Sequence, residues 1–337
     1  WLAQRKGTTS DKLILSVGRD FRPSGEALTQ ALIRGLTAAD CDVYDAGQTV
    51  TAAIYQTIVS GEAHADGAIM VTGGFQPDGW NGFKLMTRDG GLRLDEQRAL
   101  LNLARSTSLP QRLVSPLDAL TPYRERLSEM VLRRLDDDVV CPLVGLFLVV
   151  CESGAGAFLA DVLEDLGADV VRTALPGGVF HTDDPEAVAA LSRAVTQNEA
   201  DLGVALDADG TRCAIVDQDG KPLMGNRLIA LMAAILLEEH PGATFVTDSV
   251  TSSGVARFIT EWGGVHYRYK RGHRNVIAEA MRLNEEDIDC PLAIETSGHA
   301  ALRENFFLDD GAYLAAVVLC KALTLKRDGE TISSLIQ

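Results

Sequence analysis

One short pattern occurs three times in this chain: an apolar run of strand length, a turn that contains glycine, and a segment with apolar residues at helical spacing. The three apolar runs are Leu13–Gly18, Pro142–Val150 and Ala243–Thr247. The predicted helices that follow them are Glu26–Leu36, Ala155–Leu166 and Gly254–Trp262. Strands that alternate with helices favour α/β layers built on mostly parallel sheets. The pattern therefore predicts an α/β protein.

Two polar segments separate the three occurrences of this pattern. Domain joints are expected near Asp136–Asp138 and at the turn His240–Gly242, and Tyr123–Leu135 is predicted to be a helix that links the first two units. A chain of 337 residues has room for two or three domains of ordinary size. The predicted domains cover residues 1–135, 136–240 and 241–337.

The charge and the apolar runs exclude two classes of partner. The formal net charge is −16, whereas a nucleic-acid surface needs clustered basic residues. The longest apolar runs, such as Leu143–Val150 and Leu314–Cys320, are far shorter than the roughly 20 residues that span a bilayer. No nucleic-acid binding and no membrane insertion are therefore expected.

The cysteines favour a reducing compartment. All six are scattered, with neither CxxC nor His-rich spacing, so neither a zinc site nor a disulfide framework is predicted. We expect a soluble intracellular protein, in the cytoplasm or the interior of an organelle. Residue 1 is Trp rather than Met, and no targeting segment is visible that would decide between these compartments.

Five segments, in order along the chain, resemble motifs of the α-D-phosphohexomutase family, the phosphoglucomutase and phosphomannomutase group. They are Gly18–Ser24 (GRDxRxS), Asn81–Lys84 (NGxK), Asp207–Arg212 (similar to DxDxDR), Arg271–His273 (a basic loop) and Glu295–His299 (similar to GExSGH). Any one of these motifs is weak by itself, but five in family order make chance improbable. The similarity extends over nearly the whole chain.

This resemblance implies an architecture and a reaction. Family members have four α/β domains around a deep cleft, of which these residues would supply the first three. Neither the family's first helix nor the RxSNTEP-like phosphate loop of its fourth domain is found among the 337 residues. The enzymes interconvert hexose 1- and 6-phosphates through a phosphoserine, with Mg²⁺ and a base. Gly74, Asp207 and Glu295 are then expected to face one shared cleft.

The catalytic loop of the family is altered in this sequence. The family reads TASHNP where this chain has Thr72–Pro77, so that Gly74 stands at the place of the phosphoserine and Phe75 replaces the neighbouring His. Glycine has no atom to phosphorylate, and loss of a nucleophile costs a factor on the order of 10⁶, about 8 kcal/mol of barrier. Phe75 and Trp80 either fill the former nucleophile pocket or contact a partner.

The metal loop is altered as well. It lies between the predicted strands Leu202–Leu206 and Cys213–Asp217. The resemblance makes Asp207 and Asp209 metal ligands, whereas Thr211, next to Arg212, replaces the third Asp. The phosphate ligand at position 74 is also missing. We expect Mg²⁺ binding to be weak or absent unless a substrate phosphate completes the site; the alternative is that the two Asp residues shape a turn at Gly210.

The sugar-recognition loop is intact. The resemblance implies that Glu295 and Ser297 bind sugar hydroxyls and that His299 contacts the ligand or orients the loop. The resemblance also implies that phosphate groups are bound by four basic residues, Arg271, His273, Arg19 and Lys84. Lys84 is also the family's acid/base candidate. The alternatives are an ordinary polar loop around Glu295 and a solvated basic turn at Arg271 and His273.

Two functions follow from this mixture of altered and intact motifs. The first is a phosphohexomutase-like protein that is catalytically silent or impaired and is retained as a sugar-phosphate-binding, regulatory or structural subunit. Its partners would be a hexose phosphate and a protein in a larger assembly. The second is an active phosphohexomutase that bypasses the serine by taking a phosphoryl group from a sugar bisphosphate. The first function is favoured, because the nucleophile and the third metal-binding Asp are both replaced.

Overall fold

The computed structural model divides the chain into two compact units, Trp1–Tyr123 and Arg124–Gln337. It describes residues 1–3, 12–60, 63–74, 76–77, 79–103, 114–135, 139–152, 154–174 and 180–336. The predicted joint at Asp136–Asp138 and the side chain of Phe75 lie outside these residues. The division into domains at residues 135 and 240 stays a prediction.

The first unit is built on a mixed, six-stranded sheet. The strands are β1 (Ile14–Arg19), β2 (Asp42–Gln48), β3 (Gly67–Val71), β4 (Phe83–Thr87), β5 (Gly90–Gly91) and β6 (Val114–Pro116). Their order is β5-β4-β3-β1-β2-β6, with β3, β1, β2 and β6 parallel and β4 and β5 antiparallel. The carboxyl ends of β1 and β3 therefore meet at one edge of the sheet, where the first and the altered motif follow them.

The described helices of this unit are α1 (Gly25–Ala38), α2 (Thr51–Val59), α3 (Leu94–Leu103) and α4 (Leu120–Leu135), the last of which continues into the second unit. Helix α1 is amphipathic and places Ile33 in the core with Val17, Val43 and Ile69. Helix α2 is apolar nearly all round, and eight of its nine residues are buried. Helices α1 and α2 pack against the sheet whose edge carries the motifs.

The second unit begins with a four-stranded sheet. The strands are β7 (Phe147–Cys151), β8 (Asp169–Thr173), β9 (Leu202–Leu206) and β10 (Cys213–Asp217), in the order β10-β9-β7-β8 with only β10 antiparallel. Helices α5 (Ala155–Asp165) and α6 (Pro185–Asn198) accompany it. The start of helix α6 is capped, because Asp184 accepts a hydrogen bond from the backbone N–H of Glu186 and Pro185 occupies the first turn.

A five-stranded sheet completes the second unit. The strands are β11 (Thr244–Thr247), β12 (Val265–Arg268), β13 (Leu292–Ile294), β14 (Ala300–Leu302) and β15 (Leu308–Asp309), in the order β12-β11-β13-β14-β15. The helices are α7 (Asn226–Glu239), α8 (Ser253–Glu261), α9 (His273–Glu285) and α10 (Gly311–Arg327). The largely buried helix α10 packs against strands of both sheets, which joins them into one unit. Among the described residues, no helix combines the length and apolar character that crossing a bilayer requires.

The predicted α/β fold with mixed, mostly parallel sheets is confirmed, but one predicted strand is wrong in extent. The run Pro142–Val150 is extended only from Phe147 onward. Before it, Gly145 has φ +94° and the N–H of Leu146 donates to the carbonyl of Leu143 at 3.1 Å, which closes a turn. Leu143 and Leu146 are fully buried, so burial of a turn, and not strand formation, accounts for the first part of the apolar run.

Candidate functional site

The altered loop of the first unit is organised around a buried arginine. Arg22 is 1% exposed, and its guanidinium donates to the backbone carbonyl of Gly74. It also donates to the carbonyls of Gln76 at 2.7 Å, Pro77 at 2.9 Å and Trp80 at 3.2 Å. The loop backbone thus forms a cage of carbonyl oxygens around one cation, and this fixes its shape without help from a side chain at position 74.

A second group of contacts ties this loop to the end of β1. Asp20, which is fully buried, accepts from the Nε of Arg22 at 3.0 Å and from the hydroxyl of Thr72 at 2.7 Å. The backbone N–H of Gly74 donates to the same hydroxyl at 2.8 Å. Asp20 and Arg22 belong to the first motif, which carries no separate prediction for either of them. Their contacts with the altered loop depend on the pairing of β1 with β3, which a single sequence does not show.

Gly74 lies in the left-handed region, with φ +55°. Apart from its chain neighbours, no described atom comes within 4 Å of the point where a Cβ would stand. Trp80 is 65% exposed, so its indole does not fill a pocket at this position. Position 74 therefore has room for a side chain, but its backbone conformation favours glycine.

The two basic candidates of the first unit differ in their surroundings. Arg19, at the end of β1, forms an ion pair with Glu26 of helix α1. Lys84 is half-buried on β4, opposite Met70 of β3. The amide of Asn81 donates to the hydroxyl of Ser24 at 3.1 Å and so joins the NGxK motif to the first motif.

In the second unit, the loop between β9 and β10 is buried and internally bonded. Asp207 accepts from both the backbone N–H of Arg212, at 3.0 Å, and its Nε, at 3.1 Å. Burial acts to lower the pKa of the Arg212 guanidinium, but Asp207 and Asp183 outweigh burial and raise it. Thr211 donates its hydroxyl to Asp209 at 3.0 Å. Where the family has a carboxylate, this chain therefore has a donor that bonds to the neighbouring one.

These residues do not fit a Mg²⁺ site made of protein ligands alone. Mg²⁺ requires oxygen ligands in near-octahedral geometry. Both oxygens of Asp207 already accept from Arg212, and one oxygen of Asp209 accepts from Thr211. Within the described part of the chain, neither Asp belongs to a group of three or more His, Cys, Asp or Glu residues close enough to share an ion.

The sugar-recognition loop lies between β13 and β14 and is held by Glu295. This residue is 4% exposed; its carboxylate accepts from the backbone N–H of Gly272 and from the hydroxyl of Ser297 at 3.3 Å. Burial raises the pKa of Glu295. Thr296 anchors the loop further by donating to Asp248 at 2.7 Å. Glu295 thus connects this loop to the turn Arg271–His273, in which Arg271 is exposed.

The metal loop and the sugar-recognition loop touch directly. Arg212 and His299 form an isolated antiparallel bridge, and a guanidinium nitrogen of Arg212 lies 3.5 Å from the carbonyl of Ser297. The rings of His273 and His299 stack with centroids 4.7 Å apart. The second unit therefore brings its three predicted motifs into one cluster. That Gly74 faces the same cleft stays a prediction.

Comparison with known proteins identifies the family of this chain. Family models described as phosphoglucomutase/phosphomannomutase, alpha/beta/alpha domains I and III, match residues 2–108 and 224–337. The chain is 31% identical over 334 residues to a phosphomannomutase/phosphoglucomutase of Pseudomonas syringae pv. tomato, covering 95% of this chain and 68% of the relative. The chain belongs to the phosphoglucomutase/phosphomannomutase family.

Two further family members show the same relationship. A phosphoglucosamine mutase of Allorhizobium ampelinum is 32% identical over 331 residues, which cover 95% of this chain and 71% of that protein. The crystal structure of a phosphoglucomutase/phosphomannomutase family protein from Burkholderia thailandensis has a TM-score of 0.82 at 28% identity, covering 99% of this chain and 72% of the other. The predicted family is thereby confirmed, and the chain spans about 70% of the length of these relatives.

One contact of the second unit has no counterpart in the family motifs quoted above. His299 Nδ1 lies 2.7 Å from a carboxylate oxygen of Asp309, on β15. The sequence offers a weak signal for this residue, since Asp309 and Asp310 form an acidic pair directly before the apolar helix α10. Asp310 caps that helix by accepting from the N–H of Tyr313 at 3.0 Å, which leaves Asp309 to face the histidine.

Proposed function

We propose that this family member has lost most or all of its phosphoryl-transfer activity and is retained as a hexose-phosphate-binding protein with a regulatory or structural role. The observation that carries the proposal is Gly74. In the loop that would present a phosphoserine, four described backbone carbonyls accept from Arg22, and the residue at the proposed reactive position has no hydroxyl. A step that requires a nucleophile there loses a factor on the order of 10⁶.

The altered metal loop supports the same proposal. The hydroxyl of Thr211 adds no negative charge, and it donates to Asp209 rather than offering another anionic oxygen. A divalent ion at this loop would need oxygens from a ligand phosphate to complete its coordination. Nucleophile and metal ligands are thus impaired at two separate places in the chain.

The proposed binding of a hexose phosphate is based on residues of the second unit. Glu295, Ser297 and His299 are held on both sides, by the Arg271–His273 turn and by the Arg212 loop. A loop fixed in this way can recognise sugar hydroxyls without paying to become ordered. Arg271 provides a cationic group for a phosphate, and the ring of His273 can provide a hydrogen-bond partner. A regulatory or structural role would also require a protein partner in a larger assembly.

The second candidate is an active phosphohexomutase that takes its phosphoryl group from a sugar bisphosphate. The open space at the missing Cβ of Gly74 favours it, because a ligand phosphate placed there would need no serine. This candidate predicts turnover that depends on added bisphosphate, whereas the first predicts binding without turnover.

The deciding experiment is a coupled mutase assay of the full-length protein with Mg²⁺ and catalytic glucose 1,6-bisphosphate. We expect no turnover above a heat-inactivated control. Calorimetry with glucose 1-phosphate and mannose 1-phosphate should show binding that Glu295→Gln weakens about tenfold or more, since a charge-assisted hydrogen bond is lost, and that the exposed control Glu261→Gln leaves unchanged. Turnover would establish the second candidate; absence of binding would reject the ligand-binding role.

A further inference from the structure

Two histidines and one carboxylate converge beside the sugar-recognition loop. The ligand atoms of His273, His299 and Asp309 all lie within 4.8 Å of one another. We propose that these three residues bind a divalent transition-metal ion of the Zn²⁺ type, at a site separate from the acidic loop of Asp207 and Asp209. The cysteine spacing predicts no zinc site, and this one uses no cysteine.

The distances suit such an ion after a small adjustment. Zn²⁺ lies 2.0–2.2 Å from nitrogen and oxygen ligands, so that two ligand atoms on one ion are about 3 to 3.6 Å apart. His299 Nδ1 and the Asp309 oxygen are 2.7 Å apart, and the His273 and His299 rings are tilted by 30°. The pair must therefore open by a few tenths of an ångström, and the His273 ring must turn towards it.

The backbone fixes two of the three ligands and leaves the third adjustable. The carbonyl of His299 accepts from the N–H of Glu295 at 2.9 Å, directly before β14. Asp309 lies on β15, paired with Ala301 of β14. These ligands therefore project from adjacent strands of one sheet. His273 is exposed and is the first residue of helix α9, so its side chain can turn without disturbing a packed core.

The donor set decides which ion is bound. Imidazole nitrogens with a single carboxylate suit Zn²⁺, Ni²⁺, Co²⁺ or Cu²⁺, whereas Mg²⁺ takes oxygen ligands. The acidic loop shows the opposite preference, since Asp207 and Asp209 offer only oxygens. A Zn²⁺-type ion is therefore expected to bind at the histidine cluster and not at the acidic loop, and Mg²⁺ is not expected to displace it.

The proposed ion shares His273 and His299 with the hexose-phosphate site proposed above. Its test contains no sugar, so that failure of metal binding is distinguishable from failure of hexose-phosphate binding. Untagged full-length protein is titrated with ZnCl₂ in a calorimeter, with and without a hundredfold excess of Mg²⁺. We expect one Zn²⁺ per chain, retained in the presence of Mg²⁺. His273→Ala, His299→Ala and Asp309→Asn should each weaken binding at least tenfold.

Two matched controls locate the ion. His240 Nδ1 lies 3.5 Å from an oxygen of Asp289, a His–carboxylate pair that belongs to no three-ligand group in the described residues. His240→Ala and Asp289→Asn should therefore change the affinity less than twofold. Absence of stoichiometric binding, displacement by Mg²⁺, or equal loss in either control variant would each overturn the proposal. Unchanged Zn²⁺ affinity in His273→Ala would also overturn the proposal. His273 is exposed, so its replacement by Ala should not disturb the fold.

Discussion

Arg22 donates to the backbone carbonyl of Gly74 across 52 positions of sequence. The acceptor is a backbone oxygen, which any amino acid at position 74 would provide. The carbonyl cage around Arg22 therefore does not require a hydroxyl at residue 74. The φ of +55° is a separate constraint at this position, and it favours glycine.

The first prediction is that Arg22 stabilises the first unit strongly. Arg22→Met would leave Asp20 buried without its cationic partner and would leave three described carbonyls besides that of Gly74 without their donor. We expect a loss of about 3–5 kcal/mol in the free energy of unfolding, measured by urea denaturation. The matched control is Arg34→Met on the exposed side of helix α1, with an expected change within about 0.5 kcal/mol. A change that small in Arg22→Met would show that the carbonyl cage contributes little.

The second prediction is that no phosphate is attached covalently to the Thr72–Pro77 loop. Thr72 has a hydroxyl, but it is 4% exposed, donates to Asp20 and accepts from the N–H of Gly74. Phosphorylation would break both contacts and bury extra charge beside Asp20. Intact-mass and phosphopeptide analysis of protein incubated with glucose 1,6-bisphosphate should therefore show an unmodified loop. Detection of phospho-Thr72 would revive the enzyme proposal.

The third prediction follows from the raised pKa of Glu295. Because burial raises this pKa above its ordinary value of 4.5, the folded state holds the proton more tightly than the unfolded state. The resulting stabilisation is present below pH 4.5 and is lost as the pH rises through the folded-state pKa. Glu295→Gln removes this titration, so its unfolding free energy should rise relative to wild type as the pH increases from 4 to 8. The exposed control Glu261→Gln should show no such trend, and a flat difference for Glu295→Gln would contradict the assignment.

Local patterns were enough to predict much of the fold. Strands β9 and β10 have the predicted bounds, because each is a five-residue, mainly apolar segment beside a polar turn. The run at Pro142 was misassigned because apolar residues are also buried in turns, and only the backbone shows the positive φ of Gly145. Apolar character alone does not separate these two cases.

The sequence predicts which loops form the candidate site, but it does not predict the contacts between their residues. The motifs identified the residues around Gly74, Asp207 and Glu295. The cage around Arg22 joins positions at least 52 apart in sequence, and the pairing of His299 with Asp309 depends on the pairing of β14 with β15. Hydrogen-bond partners at such separations follow from tertiary structure and leave no periodic signal in a single sequence.

The fourth prediction concerns repair of the altered centre. Gly74→Ser together with Thr211→Asp returns the nucleophile and the third carboxylate, so the pair should restore Mg²⁺ binding and some mutase turnover, with effects that are not additive. Phe75→His is included because the larger ring could obstruct the new hydroxyl. No described atom within 4 Å opposes a side chain at position 74, but φ +55° makes one cost about 1 kcal/mol or more.

The matched control for this repair is Gly79→Ser, which adds the same side chain to the same loop at a position with equally open surroundings. It should restore neither property, alone or with Thr211→Asp. The readouts are calorimetric titration with Mg²⁺ and the coupled assay with glucose 1,6-bisphosphate. If the repaired full-length protein folds, by circular dichroism, yet gains neither affinity nor turnover, then the divergence extends beyond the two replaced residues. The intact sugar-recognition loop would then lose its value as support for a retained ligand, and a purely structural or partner-binding role would be favoured.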